Sequence, residues 1–506
     1  MRPCAVGAFA LLTAGSLLAV PAPEAAEWER GAGVAFAGIY SDNVCLARND
    51  EKGKAFATLT PDVNLRGSGD RADVYLNARL QYNSLAEQNL DCPRGTGVPG
   101  IGGGFNQRYI PSGNFLANLE LVDNWLTLEA DASARQNAVN PLAAGGEDGL
   151  NGRGNTNIAY RYGAGAVVQR QFQRRVDFLL RYNYNEQINN AGALGDSNEH
   201  LVEGSLGMTP GTSRLTAGVN GTFREVEFDR TGRPGGANLP VVNTLSSARF
   251  QATLQLTDAW QLNGAVGREW NDFLSADDDI DGEFWDVGLR WAPNTRIVVE
   301  AGTGERFFGE TPRLNVDYRH KRSRLSAGYT RTVQFPRVLR NPAFDPDDPF
   351  GPGFGELPGD PVTPPDTPVL IGQSPIVNET FNLAYRFTAR RSSLALRGAE
   401  SQQQRLLDQR TGRFRSVTAT ASRDLSSKLT FSLRVGWRDN EGSEEGLPGL
   451  FPNGFEAWTA GVDATRRIGN EATVTFAWQF RSQTSDFALN EFDENRFIIR
   501  TRFTLF

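Results

Sequence analysis

Histidine, methionine, cysteine and lysine are all scarce in this 506-residue chain, with 2 His, 2 Met, 3 Cys and 4 Lys. Two histidines leave little room for His-based acid–base catalysis or a His-ligated metal site. Long apolar runs are missing too. Beyond the N-terminus nothing approaches the ~20 apolar residues that a membrane helix needs. The hydrophobic share is 39%, below the usual globular level of roughly 45–50%. A helical membrane protein is therefore excluded. Aromatics, at 10%, are too plentiful for a disordered chain. At ordinary domain sizes this length suggests about three domains, yet no linker divides it. Low hydropathy with many aromatics and 54 glycines fits an alternating chain, half facing lipid and half facing water.

The N-terminus reads as an export signal. Arg2 supplies the positive charge, residues 5–20 form an apolar stretch too short to anchor, and Ala25 and Ala26 offer a small-residue cleavage zone, although Glu24 sits poorly at its third position. Residues 1–26 are the expected signal peptide and 27–506 a single mature domain. Cys4 precedes the apolar stretch and is not placed as a lipoprotein cysteine. The mature chain keeps Cys45 and Cys92 in an oxidising compartment.

What is present is one pattern from end to end. In residues 249–257, Phe250, Ala252, Leu254 and Leu256 alternate with Arg249, Gln251, Thr253, Gln255 and Thr257. A period of two means a strand with one apolar and one polar face. The pattern recurs at Val74–Leu76–Ala78–Leu80–Tyr82, at Val176–Phe178–Leu180–Tyr182, at Leu429–Phe431–Leu433–Val435 and at Val474–Phe476–Trp478–Phe480. A single segment of this kind also fits a half-buried strand of a soluble sandwich. The set does not, because the segments run about ten to twelve residues, the length of a tilted bilayer-crossing strand.

Connections alternate between short and long. Short turns are expected at 67–70, 122–124, 169–174, 209–213, 257–259, 292–295, 320–323, 389–392, 424–427 and 467–470, with Gly-, Asn-, Asp- and Pro-rich stretches such as 84–104, 136–154, 229–242, 335–375 and 439–453 between them. Short turns on one side and long loops on the other describe an outer-membrane barrel. Ten hairpins, one strand at 30–40 and one at 492–505 give 22 strands, or 20 if one hairpin merges. The fold class is thus all-β, a transmembrane antiparallel barrel of 20–22 strands with periplasmic turns and extracellular loops. Tyr40, Tyr82, Trp125, Tyr184, Trp260, Trp270, Trp291 and Trp437 fall near strand ends, where aromatic girdles sit. In the last strand Phe497, Ile499, Phe503 and Leu505 oppose Arg496, Arg500 and Arg502, and the terminal Phe506 falls on the arginine side.

Residues 38–83 carry a more specific pattern: Tyr40, Asp42 and Asn43, then Thr60, Pro61, Val63 and Leu65, then a hairpin. This segment resembles the opening of the β-barrel porin family found with exopolysaccharide and PEP-CTERM (exosortase) loci. The resemblance spans about 45 residues. It implies a role in polysaccharide export or surface assembly and brings no catalytic residue.

The alternation places Arg79, Arg181, Arg290, Arg319, Arg386, Arg397 and Arg434 in the lumen with Asp73, Glu129, Asp131, Asp177, Asp286, Asp317 and Asp463. Guanidinium forks pair with carboxylates and stack on sugar rings, so such a lumen could pass or hold a glycan. Equally, the pairs could do no more than satisfy a wide polar interior. The expected function is a porin-like channel in the outer membrane, for exopolysaccharide export or surface assembly. The alternative is a structural or glycan-binding barrel with no open pore. A plugged, energised transporter is disfavoured, because no plug fits before the first strand. An enzyme is not expected, since His200 beside Glu199 and His320 in a basic turn are lone strand-end residues. No metal or other cofactor and no nucleic acid is expected. Expected partners are outer-membrane lipid, the barrel-assembly machinery, polysaccharide and periplasmic export proteins. The acidic loop at 335–375 could fold inward as a constriction or stay solvated. Cys45 and Cys92 lie in neighbouring loops, which leaves both a bridge and two free thiols open.

Overall fold

The computed structural model describes residues 27–88, 90, 92, 107–138, 150, 155–190, 195–209, 211, 213–229, 241–277, 279–335, 373–442, 454–486 and 490–505. The expected signal peptide at 1–26, Phe506 and most of the 335–375 loop lie outside them.

The wall starts with β1 (Glu27–Ser41), β2 (Lys54–Ser68), β3 (Ala72–Asn83), β4 (Tyr109–Val122), β5 (Leu126–Ala138), β6 (Thr156–Phe172), β7 (Val176–Asn189) and β8 (Ser197–Met208). It continues with β9 (Leu215–Phe228), β10 (Val241–Gln255), β11 (Trp260–Asp272), β12 (Gly282–Asn294), β13 (Ile297–Arg306), β14 (Gly309–Glu310), β15 (Arg313–His320) and β16 (Ser323–Gln334). It ends with β17 (Ile376–Thr388), β18 (Ser392–Arg405), β19 (Thr411–Asp424), β20 (Leu429–Gly442), β21 (Gly454–Ile468), β22 (Ala472–Thr484) and β23 (Phe492–Thr504). β14 and β15 both pair with β13. They are one wall strand interrupted at Pro312, which has no N–H to give the ladder. The wall therefore has 22 strands, each antiparallel to the next. β1 and β23 pair from Gly33↔Thr504 to Ser41↔Arg496 and close the sheet. Closure leaves no unpaired edge, which is what backbone N–H and C=O groups need inside lipid.

All ten expected short turns are found where the strand ends meet, and the two residues at the tip of the β6–β7 turn, Gln173 and Arg174, both take positive φ, as primed hairpin turns require. The strands differ from expectation in length. They run from 10 residues in β13 to 17 in β6, against the ten to twelve read from the alternation. With a rise of ~3.3 Å and a tilt of ~40°, ten or so residues cover a ~25 Å apolar band. The extra residues carry the ladder beyond that band, where alternation fades because both faces meet water.

The two faces differ as the period of two requires. On one, large apolar side chains stand exposed, among them Val266, Phe476, Phe497 and Ile499. On the other, Arg181, Asn183, Asn185 and Gln187 are buried along β7. The exposed apolar face is the lipid-facing exterior and the polar face is the lumen wall.

Candidate transport lumen

Cross-strand partners share a face, so the register passes the inward assignment from strand to strand. Starting from β7, Asn183 pairs with Gly165, Gly165 with Glu129, Glu129 with Asn118 and Asn118 with Asp73. Followed right round the wall, this chain of pairs puts Arg79, Arg181, Arg290, Arg386, Arg434, Asp73, Asp177 and Glu129 on the inward face. Arg319, Arg397, Asp131, Asp286, Asp317 and Asp463 fall there as well.

Several of these residues satisfy one another. Arg181 lies 3.4 Å from Glu129 and 3.7 Å from Glu203, with its side chain only 9% exposed. Arg290 lies 2.9 Å from Glu300, and Arg313 pairs with Asp286. Asp177 accepts hydrogen bonds from Gln171 and Thr209, both at 3.0 Å. Asp73 accepts one from Ser68 at 2.7 Å. Arg79 stands opposite Asp62, whose carboxylate also takes the Arg502 guanidinium at 2.7 Å. That last pair crosses the closure seam, from β2 over β1 to β23. Gly33 of β1 lies beneath it, and a Cβ there would come within 3.0 Å of the Asp62 carboxylate. Glycine clears the crossing.

The seam holds a second set of contacts at the loop end, built from residues 41–43. Ser41 Oγ donates to Glu494 at 2.6 Å. The Asp42 carboxylate accepts from Asn495 N at 2.7 Å and from Asn495 Nδ2 at 2.9 Å. Asn43 Nδ2 donates to the Asp493 carbonyl at 2.7 Å and to the Ala47 carbonyl at 2.8 Å, while its Oδ1 accepts from Ala47 N at 3.1 Å. Glu494 also holds Arg496 at 2.7 Å, both nearly without exposure. Asp42 and Asn43, read in the sequence only as part of a family-like signature, here clasp the first strand to the last.

Just beyond the clasp the chain turns into the barrel. Asn43, Val44, Cys45 and Leu46 are wholly buried. Val44 and Cys45 pack with the inward residues Ala37, Ile39, Phe56, Ile110 and Ile498, and with Leu85 and Leu150. Leu46 packs on Phe492. Cys45 and Cys92 form a disulfide with a Cα–Cα distance of 5.4 Å. A short 3-10 turn, Ser84–Glu87, stands beside it. The Asn83 carboxamide oxygen accepts from Leu85 N at 3.0 Å, and its Nδ2 donates to the Leu150 carbonyl at 3.0 Å. One side of the loop-end mouth is thus lined by an apolar cap. The sequence reading missed it, because Val44 and Leu46 in a polar loop look like isolated apolar residues.

A second apolar cap sits at the loop end of the opposite arc, with Val333 and Val377 on the outer side of the wall. Phe273, Val377 and Leu406 cluster with Leu245, Ile280, Phe307, Phe308 and Val333. Ala276 N donates to the Leu406 carbonyl at 2.8 Å, tying the β11–β12 loop to the β18–β19 loop. Phe335 packs on Val226 and Phe228, and Asn243 Nδ2 donates to the Gln373 carbonyl at 2.9 Å. The two ends of the 335–375 loop therefore lean over the lumen, while the constriction expected of residues 336–372 lies outside the described residues. At the other end of the barrel the turns are only a few residues long, too short to span it.

On the outer face Tyr40, Tyr82, Tyr184, Trp260, Trp270, Trp291 and Trp437 all point away from the lumen, and Trp125 is exposed in its turn. Trp260 and Trp291 stack with centroids 5.8 Å apart near the turn end. His200 belongs to the outer belt at the loop end, with its ring 5.2 Å from Tyr184 and its Nδ1 3.0 Å from the Tyr182 hydroxyl. His320 stacks on Tyr318. Neither histidine faces the lumen.

No protein-family model matches the chain, and no curated protein matches it by sequence. The resemblance of residues 38–83 therefore rests on those residues alone. Solved structures do match. The FrpB iron transporter of Neisseria meningitidis is 9% identical, with a TM-score of 0.54 over 94% of this chain and 83% of that one. The ferric enterobactin receptor of Pseudomonas aeruginosa is 10% identical, with a TM-score of 0.52 over 94% and 80%. The siderophore receptor PirA of Acinetobacter baumannii is 7% identical, with a TM-score of 0.52 over the same shares. The fold is that of an outer-membrane β-barrel. With its apolar exterior and closed ladder, the chain is placed in the outer membrane.

Proposed function

We propose that this barrel is a channel for polar solutes across the outer membrane, with its loop-end mouth narrowed by the disulfide-stapled segment 42–53. One observation carries the reading: the wall of 22 strands encloses a face of charged and amide side chains, while its apolar residues point outward. A wall of this size encloses more space than its own side chains fill, since barrels of roughly 16–18 strands already hold an aqueous channel. The resemblance of residues 38–83 supports a cargo among surface polysaccharides, with export or surface assembly as its setting. Periplasmic export proteins and the barrel-assembly machinery are the partners that go with that setting. The proposal assigns the barrel no catalytic step and no cofactor.

A second reading, a structural or glycan-binding barrel without open-channel activity, draws support from the apolar cap around Cys45 and from Phe335 and Gln373, which reach across the loop end to β9 and β10. Swelling of liposomes that contain the purified full chain separates the two. The channel reading expects swelling in isotonic mono- and disaccharide solutions, at rates that fall with solute size. No swelling for any sugar, from protein with a heat-modifiable folded band, overturns it.

A further inference from the structure

Most inward arginines described above lie beside an acid, but one arc of the wall is built otherwise. On β16 and β17, Arg324 and Arg386 stand directly opposite each other, and like charges in that position repel. Arg386 faces only Ala395 on its other side, and Ala395 in turn faces Thr420, the partner of Arg434. Arg397 lies one row away, opposite Ala384 and Thr418. The nearby carboxylate of Asp317 is already shared, by Arg319 at 2.8 Å and Arg324 at 2.6 Å. Among the described residues Arg386 and Arg434 make no ion pair or side-chain hydrogen bond.

The same arc is hollow. Ser326, Gly328, Ala384, Ala395 and Ala399 are small, and the wall sinks between them into a recess of about 420 Å³ that Arg324, Arg386 and Arg397 border. Arg324 and Arg386 lie within a few residues of the short turns, where Lys321, Arg322, Arg390 and Arg391 add positive charge. Like charges set side by side along a cavity, with Arg386 directly opposite Arg324, are an arrangement that a bound anion relieves. Guanidinium groups offer planar forks that match the two oxygens of a carboxylate or phosphate.

We infer that this recess binds the carboxylate or phosphate groups of an extended anionic solute entering from the turn end of the barrel. The inference rests on the channel reading for its route of entry, but binding itself can be measured separately. The experiment uses the full chain in detergent micelles, with titration calorimetry at low and at physiological salt. The probes are an oligogalacturonate, an inorganic polyphosphate and a neutral maltodextrin of similar length. The inference expects at least one anion to bind, weakening with salt, and the neutral chain not to bind. R386Q combined with R434Q is expected to weaken the anion by about tenfold or more, the loss of a charged hydrogen bond. A395D, which sets a carboxylate between the two arginines, is expected to abolish binding even if the double variant folds poorly. R249Q, on the inward face of β10 and outside the recess, is expected to leave affinity unchanged. Binding of the galacturonate alone or the polyphosphate alone identifies carboxylate or phosphate as the cargo's group. Failure of both anions to bind, or equal affinity in wild type and A395D, overturns the site. If the wild type swells liposomes but binds neither anion, this inference fails and the channel stands. Binding without swelling fails the channel and leaves the site.

Discussion

Asn43 shows how much one side chain can hold. It is wholly buried and spends its carboxamide on Ala47 and Asp493. Alanine there leaves buried backbone groups unpaired, at about 1–3 kcal/mol each. Asn43→Ala is expected to lower the urea midpoint of the folded barrel in micelles by an amount equivalent to roughly 2–4 kcal/mol. An unchanged midpoint would show that the clasp does not hold the seam. Arg496 tests the same seam by charge. Arg496→Met takes away the guanidinium that lies 2.7 Å from the buried Glu494 carboxylate and is expected to lower the same midpoint by an amount equivalent to up to about 3–5 kcal/mol. In the sequence Asp42 and Asn43 were visible only as a pattern. Their partners lie some 450 positions away on the last strand, and alternation within a segment carries no information about such distant pairs.

At the scale of an element, the period of two fixed which face each strand buries, and a pair of adjacent substitutions reads it directly. Val266 of β11 is 58% exposed on the outer face, while its neighbour Ala265 stands inward, opposite Asp286. Val266→Arg is expected to destabilise the barrel in lipid vesicles by about 2–4 kcal/mol. Ala265→Arg, which gains a carboxylate neighbour, is expected to cost less than about 1 kcal/mol. Equal losses at the two sites would contradict the assignment of faces. Turns and strand number were legible because Gly, Asp, Asn and Pro punctuate the chain wherever the ladder must stop. Strand length was less legible, since the residues beyond the lipid band no longer alternate. The stapled segment makes a further prediction. With the disulfide intact, Arg48 and Lys52 follow the buried, packed stretch Asn43–Ala47, which anchors their loop, and should resist trypsin. In C45S/C92S protein they should be cut while the wall stays folded, as judged by heat-modifiable mobility on gels.

For the whole molecule, the two ends are unlike. Long loops gather into two apolar caps at one end, while short basic turns rim the other. The closed ladder and the charged inner face were both readable from the sequence. The caps were not, because they bring together loops from strands several positions apart on the wall. The account's central claim is that solutes pass through this lumen and that the segment stapled by Cys45 and Cys92 narrows its loop-end mouth. Single-channel recording of the full chain in planar bilayers, compared with C45S/C92S protein in the same salt, tests it most directly. The account predicts discrete conductance steps in the wild type and larger steps, or longer open times, once the staple is removed. Steps of the same size and duration in both proteins would contradict the role given to the stapled loop, and no conductance from either would contradict the channel itself.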